Sequence, residues 1–278
     1  MREWAIQNAE MWVRDYLVDG LRLDATHAIF DEREPHVLRE LADRVHALRP
    51  GALVIAEMAV GDRRPIQDWG HDAQWADEFH HALHVLLTGE RDGYYSSYGN
   101  VADLARAYEE EPAEHLVFCA SNHDQVGNRA FGDRLPLETR RLAAACLLVA
   151  PQVPLLFQGE EHGESAPFLF FTDHDDAGIA EATREGRRRE FARFETFAGA
   201  ELPDPQAVET FRASRIHAES SDAQLREFYG SMLALRRRLP PAIETWVDEK
   251  RRILRARRGT VELTVDFLRL TAELTGDR

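Results

Sequence analysis

Five short, mostly apolar runs, at residues 21–24, 53–56, 73–75, 116–120 and 153–157, are separated by stretches whose apolar residues fall at helical spacing. This rhythm restricts the possible folds more than any other feature of the chain. Parallel strands need a crossover of a dozen or more residues, usually a helix, and strands covered on both faces read as near-continuous apolar runs rather than alternating ones. Ile6, Ala9, Val13 and Leu17 predict a helix over 3–17, which Asp19-Gly20 breaks before the first run. Val37, Leu38, Leu41, Val45 and Leu48 predict a second over 35–48, with Pro35 in its first turn and Pro50-Gly51 at its stop. Further helices are predicted at 79–87, 101–108, 136–149 and 222–239, so the expected core is an α/β fold with a parallel sheet.

The remaining segments read differently. Residues 164–217 are irregular and rich in Phe, Arg, Asp and Gly, as expected of a long loop that borders an active site. After Pro240-Pro241, the stretch RRILRARRGTVELTVDFLRLTAEL alternates with period two around Arg258-Gly259, which predicts antiparallel hairpins. The expected domains are 1–243 for the barrel-like part and 244–278 for the start of a C-terminal β domain.

Three of the runs end in an acid: Asp24 closes VDGLRLD, Glu57 closes ALVIAE and Asp124 follows HLVFCASNH. A buried strand that ends abruptly in a carboxylate delivers it to the rim of a sheet, where barrel enzymes keep their chemistry. A single acid after a strand is more often a helix cap or a solvated loop residue. The spacings, 33 residues from Asp24 to Glu57 and 67 from Glu57 to Asp124, approach one and two βα units of roughly 30 residues. Arg22 stands two residues before Asp24, on the same side of a strand, where a guanidinium favours an ionised neighbour.

The chain has 278 residues and a formal net charge of −15, which argues against nucleic acid and anionic membranes as partners and favours a neutral substrate. No apolar run approaches the roughly 20 residues that span a bilayer, and no secretory leader is legible, so a cytoplasmic location is expected. Cys119 and Cys146 lie in apolar stretches, where a free thiol behaves as a small hydrophobe. His80 and His84 share a helix face, but a zincin-like helix needs Glu directly after the first histidine, and His81 stands there. No metal and no cofactor are expected.

DGLRLDATHAI, VIAE and SNHDQVGNRA, in that order, resemble three diagnostic segments of the α-amylase superfamily of retaining, α-glucoside-active barrels. Within it, WADEFHHALHVLLTGERDGYY, HDQVGNRA, PLLFQGEEHGESAPFLFFTDH and DPQAVETF resemble the maltooligosyltrehalose trehalohydrolase family, over about residues 1–240. The resemblance implies a (β/α)8 TIM barrel, of which the chain holds about strands 4 to 8 with their helices, followed by an incomplete antiparallel β segment. It implies Asp24 as nucleophile after strand four, Glu57 as general acid/base after strand five and Asp124 as transition-state stabiliser after strand seven. Retention needs an ionised carboxylate to attack and a protonated carboxyl to release the leaving oxygen, about 5–5.5 Å apart. The apolar VIA before Glu57 predicts a dry setting for it. By the same resemblance Arg22, His27, Asp77, His80, His123, Gln125 and Asn128 would bind substrate, with the segment 77–81 lining the sugar cleft. Ala76 departs from the polar residue expected there.

The superfamily's Asp…Asn-His segment, which follows its third strand, does not occur in these 278 residues, nor do the first three barrel strands. The resemblance therefore implies an N-terminally truncated chain, in which an opened barrel exposes strand edges. The leading functional expectation is cleavage of the α-1,4 bond beside the terminal trehalose of maltooligosyltrehalose, an α-glucan substrate. The alternatives are another α-glucan-active enzyme, such as a branching enzyme or α-glucanase, and a non-catalytic glucan-binding remnant. Oligomeric state is not legible.

Overall fold

A computed structural model of the chain describes residues 1–191, 201–217 and 222–276. Its first elements are α1 (Arg2–Arg14), β1 (Gly20–Leu23), α2 (Val37–Leu48), β2 (Leu53–Ala56), α3 (Arg64–Gln67) and β3 (Ala73–Trp75). Next come α4 (Asp77–Thr88), α5 (Val101–Tyr108), β4 (Leu116–Cys119), α6 (His123–Gly127), α7 (Leu137–Val149) and β5 (Val153–Leu155). The C-terminal third holds α8 (Ala177–Phe191), α9 (Val208–Ala213), α10 (Ala223–Arg236), β6 (Glu244–Asp248), β7 (Ile253–Arg258), β8 (Val261–Asp266) and β9 (Thr271–Thr275).

The five predicted runs form one sheet in the order β1-β2-β3-β4-β5. The pairs β1–β2, β2–β3 and β3–β4 are parallel. Strand order that follows chain order without reversal is the winding of a barrel wall, whereas a doubly wound sheet reverses at a switch point. Burial is complete along β3 and β4 and partial along β1 and β5. The four C-terminal strands form a separate antiparallel sheet in the order β6-β7-β8-β9. The expected partial barrel and antiparallel segment are therefore both present.

The chain divides into two compact units. The first comprises Met1–Asp77, Tyr108–Phe118 and Pro151–Val153. Its core packs Ile6, Ala9 and Val13 of α1 against Leu41, Ala42 and Val45 of α2, with Ala52 and Val54 beside them. Of these, Ile6, Ala9, Val13, Leu41 and Val45 are residues that helical spacing assigned to the apolar faces, whereas Leu48, assigned with them, is exposed. Helix α1 ends three residues short of the predicted Leu17. Its last turn loosens, with Val18 N donating to Trp12 O at 3.3 Å, Leu17 at φ 58° and 71% exposed, and Val18 packing on the core in its place. Gly20 pairs with Leu53 so closely that a Cβ would lie 2.9 Å from the Leu53 side chain and carbonyl oxygen, so the β1–β2 join admits only glycine there.

The second unit comprises Glu78–Ala107, Cys119–Ala150 and Pro154–Arg278. Helix α7 is buried along nearly its whole length and packs on α10 and on β8 and β9. Strands β7 and β8 alternate as predicted, burying Leu254, Ala256 and Arg258 on one and Val261, Leu263 and Val265 on the other. The turn is the two-residue Gly259-Thr260, with Gly259 at φ 61° between the paired Arg258 and Val261. The stretch predicted as irregular contains α8 and α9; α8 buries only Ala180 and Phe191, so it carries too narrow an apolar stripe to be read as a helix. Residues 192–200 of that stretch lie outside the described residues. Cys119 and Cys146 are both buried. Among the described residues no helix is long and apolar enough to cross a membrane.

Candidate active site

In the first unit the ends of β1 and β2 bring two of the three acids together. Their register pairs Arg22 with Ile55 and Leu23 with Ala56, so one step further Asp24 lies alongside Glu57. Backbone bonds continue past the strand ends: Glu57 N donates to Leu23 O at 2.9 Å and Thr26 N to Glu57 O at 3.2 Å. The Thr26 hydroxyl donates to the same carbonyl at 2.6 Å. Arg22 projects to this rim as its period-two spacing predicts. Its NH1 donates to Asp24 Oδ1 at 2.5 Å and its NH2 lies 3.0 Å from Glu57 Oε1, so a single guanidinium holds both carboxylates. The same guanidinium lies 5.2 Å from the ring centre of Trp75, at the end of β3, whose π face adds to its hold.

The second Glu57 oxygen accepts from the Ala25 amide at 2.6 Å. Ala25 sits at φ 44°, ψ 44°, a left-handed conformation that costs a non-glycine residue roughly 1 kcal/mol or more and aims its N–H at the carboxylate. The dry setting expected for Glu57 is not found: its side chain is 30% exposed, and both oxygens accept bonds of the kind a carboxylate makes. Asp24 is more open still, at 80%. His27 is exposed in the short 3-10 turn Thr26–Ala28, and Asp77 is the half-buried first residue of α4. Trp75 and Ala25 are the parts of this site that sequence reasoning missed. An aromatic residue at a strand end was a usable signal for Trp75, but nothing local marks Ala25.

In the second unit, Asp124 lies on α6 directly after β4. Asn122, almost wholly buried, caps this short helix by accepting from the amides of Asp124 at 2.9 Å and Gln125 at 2.7 Å. That cap fixes the backbone on which His123, Asp124 and Gln125 stand. His123 is exposed and its Nε2 lies 3.2 Å from Asp124 Oδ2; Gln125 is half-buried and Asn128 exposed.

His80, expected to line a sugar cleft, is only 3% exposed. Its Nδ1 is 2.8 Å from Ala120 O and its Nε2 3.1 Å from the Tyr95 hydroxyl, which in turn is 3.3 Å from Gln125 Oε1. Burial pushes the His80 ring well below its usual pKa, with the neighbouring His84 and His81 adding to the effect. His81 is pushed down to about 4, again chiefly by burial. Beside them His84 Nε2 and Arg129 NH1 each lie 2.9 Å from Glu90 Oε2. The hydrogen bond from His84, with Arg129, holds the Glu90 carboxyl down to about 2. The three acids are thus divided between the units, Asp24 and Glu57 in the first and Asp124 in the second.

No protein-family model matches the chain. It is 39% identical to a malto-oligosyltrehalose trehalohydrolase of Rhizobium sp. (strain M-11) over 96% of its own length and 53% of the relative's. To the enzyme of that name from Deinococcus radiodurans it is 41% identical over 86% of its length and 45% of the relative's. Among solved structures, a putative alpha amylase from Salmonella typhimurium superposes with a TM-score of 0.77 at 32% identity, covering 95% of this chain and 53% of that one. The chain therefore spans about half the length of the relatives it matches. Over that half, the chain belongs to the malto-oligosyltrehalose trehalohydrolases, within the α-amylase family of barrel glycosidases.

Proposed function

We propose that the chain carries the catalytic acids of a retaining glycoside hydrolase that cleaves the α-1,4 bond next to the terminal trehalose of maltooligosyltrehalose. The observation that carries this reading is the Arg22 guanidinium, which binds Asp24 and Glu57 at once. In the first step Asp24 attacks the anomeric carbon of the glucan while Glu57 protonates the departing oxygen, so trehalose leaves and a glycosyl-enzyme ester forms. In the second, Glu57, now ionised, takes a proton from water, which displaces Asp24 and frees the shortened maltooligosaccharide with its configuration retained. The charge-assisted bonds to Glu57 from Arg22 and the Ala25 amide suit this ionised form.

Asp124 stabilises the positive charge that develops at the sugar, and His123 bonds its hydroxyls. His27, Asp77, Gln125 and Asn128 contact neighbouring glucose units, whereas His80 acts from beneath the surface. Residues 1–243 serve as the C-terminal part of the catalytic barrel and 244–278 as the start of a β domain. A neutral α-glucan as partner, neither nucleic acid nor membrane, agrees with the net charge of −15, and we place the activity in the cytoplasm.

Incubation with maltooligosyltrehalose followed by product analysis tests the reading. Free trehalose is expected, and Asp24→Asn is expected to lower kcat by about 10⁴-fold or more, with no glycosyl-enzyme trapped. Processing of another glucan without trehalose release would assign the chain to a different α-glucan chemistry, and binding of maltopentaose without turnover would make it a glucan-binding module.

A further inference from the structure

Two arginines of the second unit carry charge that no carboxylate meets directly. Arg134 donates from Nε to Ala166 O and from Nη1 to Gln158 O, both at 2.8 Å, and Arg140 donates from Nε to Leu135 O at 2.8 Å and from Nη1 to Glu164 O at 2.6 Å. All four acceptors are neutral backbone carbonyls, and among the described residues neither guanidinium is paired with a carboxylate. Arg134 Nη2 is buried and has no hydrogen-bond partner. Burial works against the charge of both residues, and at Arg134 the nearby Arg140 adds to the effect. A guanidinium keeps its proton at any ordinary pH, so only a nearby anion can offset the cost.

The neighbouring acids offset it in part. Burial alone would raise the pKa of Glu164, whose side chain is fully buried, yet its bonds from the amides of Ala166 and His217 hold it below the usual value, so it supplies one negative charge. Glu160 accepts from the Tyr229 hydroxyl at 2.7 Å and from Phe157 N at 3.2 Å, but burial favours its protonated form. Ser121, Arg134, Arg140, Glu160 and Tyr229 line one cavity of about 10 Å³, which has room for a single water or monatomic ion and too little for sulfate or phosphate.

We infer that this cavity binds a halide-sized monovalent anion, held by the guanidiniums of Arg134 and Arg140 and by the Ser121 hydroxyl, with Glu160 neutral beside it. None of these residues belongs to the candidate active site, so the anion site stands whether or not the chain is a hydrolase. Anion and proton are linked, because an ionised Glu160 would repel the anion. The other charged or titratable groups around Glu160 are Arg134 and Arg140, Tyr229 on α10, and Glu161, His162 and Glu164 on its own loop. Burial pushes Tyr229 above its usual range, so it remains a neutral donor.

Thermal melting of the full 278-residue chain in sodium chloride, with sodium gluconate holding the ionic strength constant, tests the site. At pH 6 the Tm is expected to rise with chloride and to saturate, because only the folded chain offers the cavity. The apparent Kd is expected to stay nearly flat below pH 7 and to increase about tenfold per pH unit above it, and in Glu160→Gln to stay flat throughout. Absence of a saturating response to chloride, or an equally steep pH dependence in Glu160→Gln, overturns the inference. Arg134→Gln is expected to abolish the response, and a folded variant that keeps it also overturns the inference. If that variant does not fold, crystals of the unaltered chain grown in sodium bromide decide: an anomalous peak beside Arg134 Nη2 is expected, and a water in its place overturns the site.

Discussion

Arg22 holds the first half of the candidate site together, and its geometry explains why lysine would not replace it. A guanidinium presents paired donors in a rigid plane, whereas an ammonium is a point charge that cannot span two carboxylates and lie along an indole face at once. Arg22→Lys is expected to lower kcat/KM on maltooligosyltrehalose by about 10²-fold while changing Tm by no more than about 2 °C, measured by steady-state kinetics and calorimetry. Ala25 makes the opposite point, that a small residue can hold a strained backbone for the sake of one N–H. Ala25→Gly relaxes the left-handed conformation and is expected to stabilise the fold by about 0.5–1 kcal/mol in urea denaturation. Arg22 was legible because period two put it on the Asp24 side of a strand. The Ala25 conformation was not, because it is imposed where the chain leaves β1 and closes onto the Glu57 carboxyl, a residue 32 positions away.

At the scale of elements, two caps hold parts of the second unit in place. Asn122 satisfies the first amides of α6, so Asn122→Ala is expected to cost about 1 kcal/mol of stability. The same variant is expected to reduce turnover further than that loss of stability explains, because the residues it steadies include Asp124. The other cap is at the far end of α7. Arg258, on β7, donates to the carbonyls of Val149 and Ala150 at 3.0 Å and to Pro240 O at 2.7 Å, and Arg236 of α10 also bonds Ala150 O. Cations at a helix C-terminus oppose its negative end, and here they also link β7 and α10 to α7. Arg258→Met would leave buried carbonyls unpaired and is expected to cost about 2–4 kcal/mol, read as a fall in the urea midpoint. The alternating pattern of β7 and β8 was plain in the sequence, yet a charged residue on the buried face contradicts simple patterning. Only the proximity of the α7 carbonyls explains it.

For the molecule as a whole, one contribution to the pH dependence of stability comes from a buried acid that the proposed chemistry leaves aside. Glu160 accepts from the Tyr229 hydroxyl at 2.7 Å and from Phe157 N at 3.2 Å, yet burial raises its pKa to about 7 from 4.5. The folded chain keeps this proton up to about pH 7, whereas the unfolded chain releases it from about pH 4.5. The buried carboxyl therefore lowers stability as pH rises between those values, by up to about 3 kcal/mol. Subtracting the Glu160→Gln curve from the wild-type curve cancels the histidine contributions, and the difference is expected to fall across that window; a flat difference would place Glu160 in a wetter setting. The sequence by itself determined the apolar runs of the parallel strands, the alternation of β7 and β8, the apolar faces of the main helices and the acids that follow the strands, because each is written in residues adjacent in the chain or one helical turn apart. Only the tertiary structure decided the shared guanidinium, the strained amide on Glu57, the burial of His80 between Ala120 and Tyr95, and the burial of Glu160 against Tyr229, 69 residues away. Each of these depends on which distant groups meet and on how far water is excluded there, and no local period encodes either.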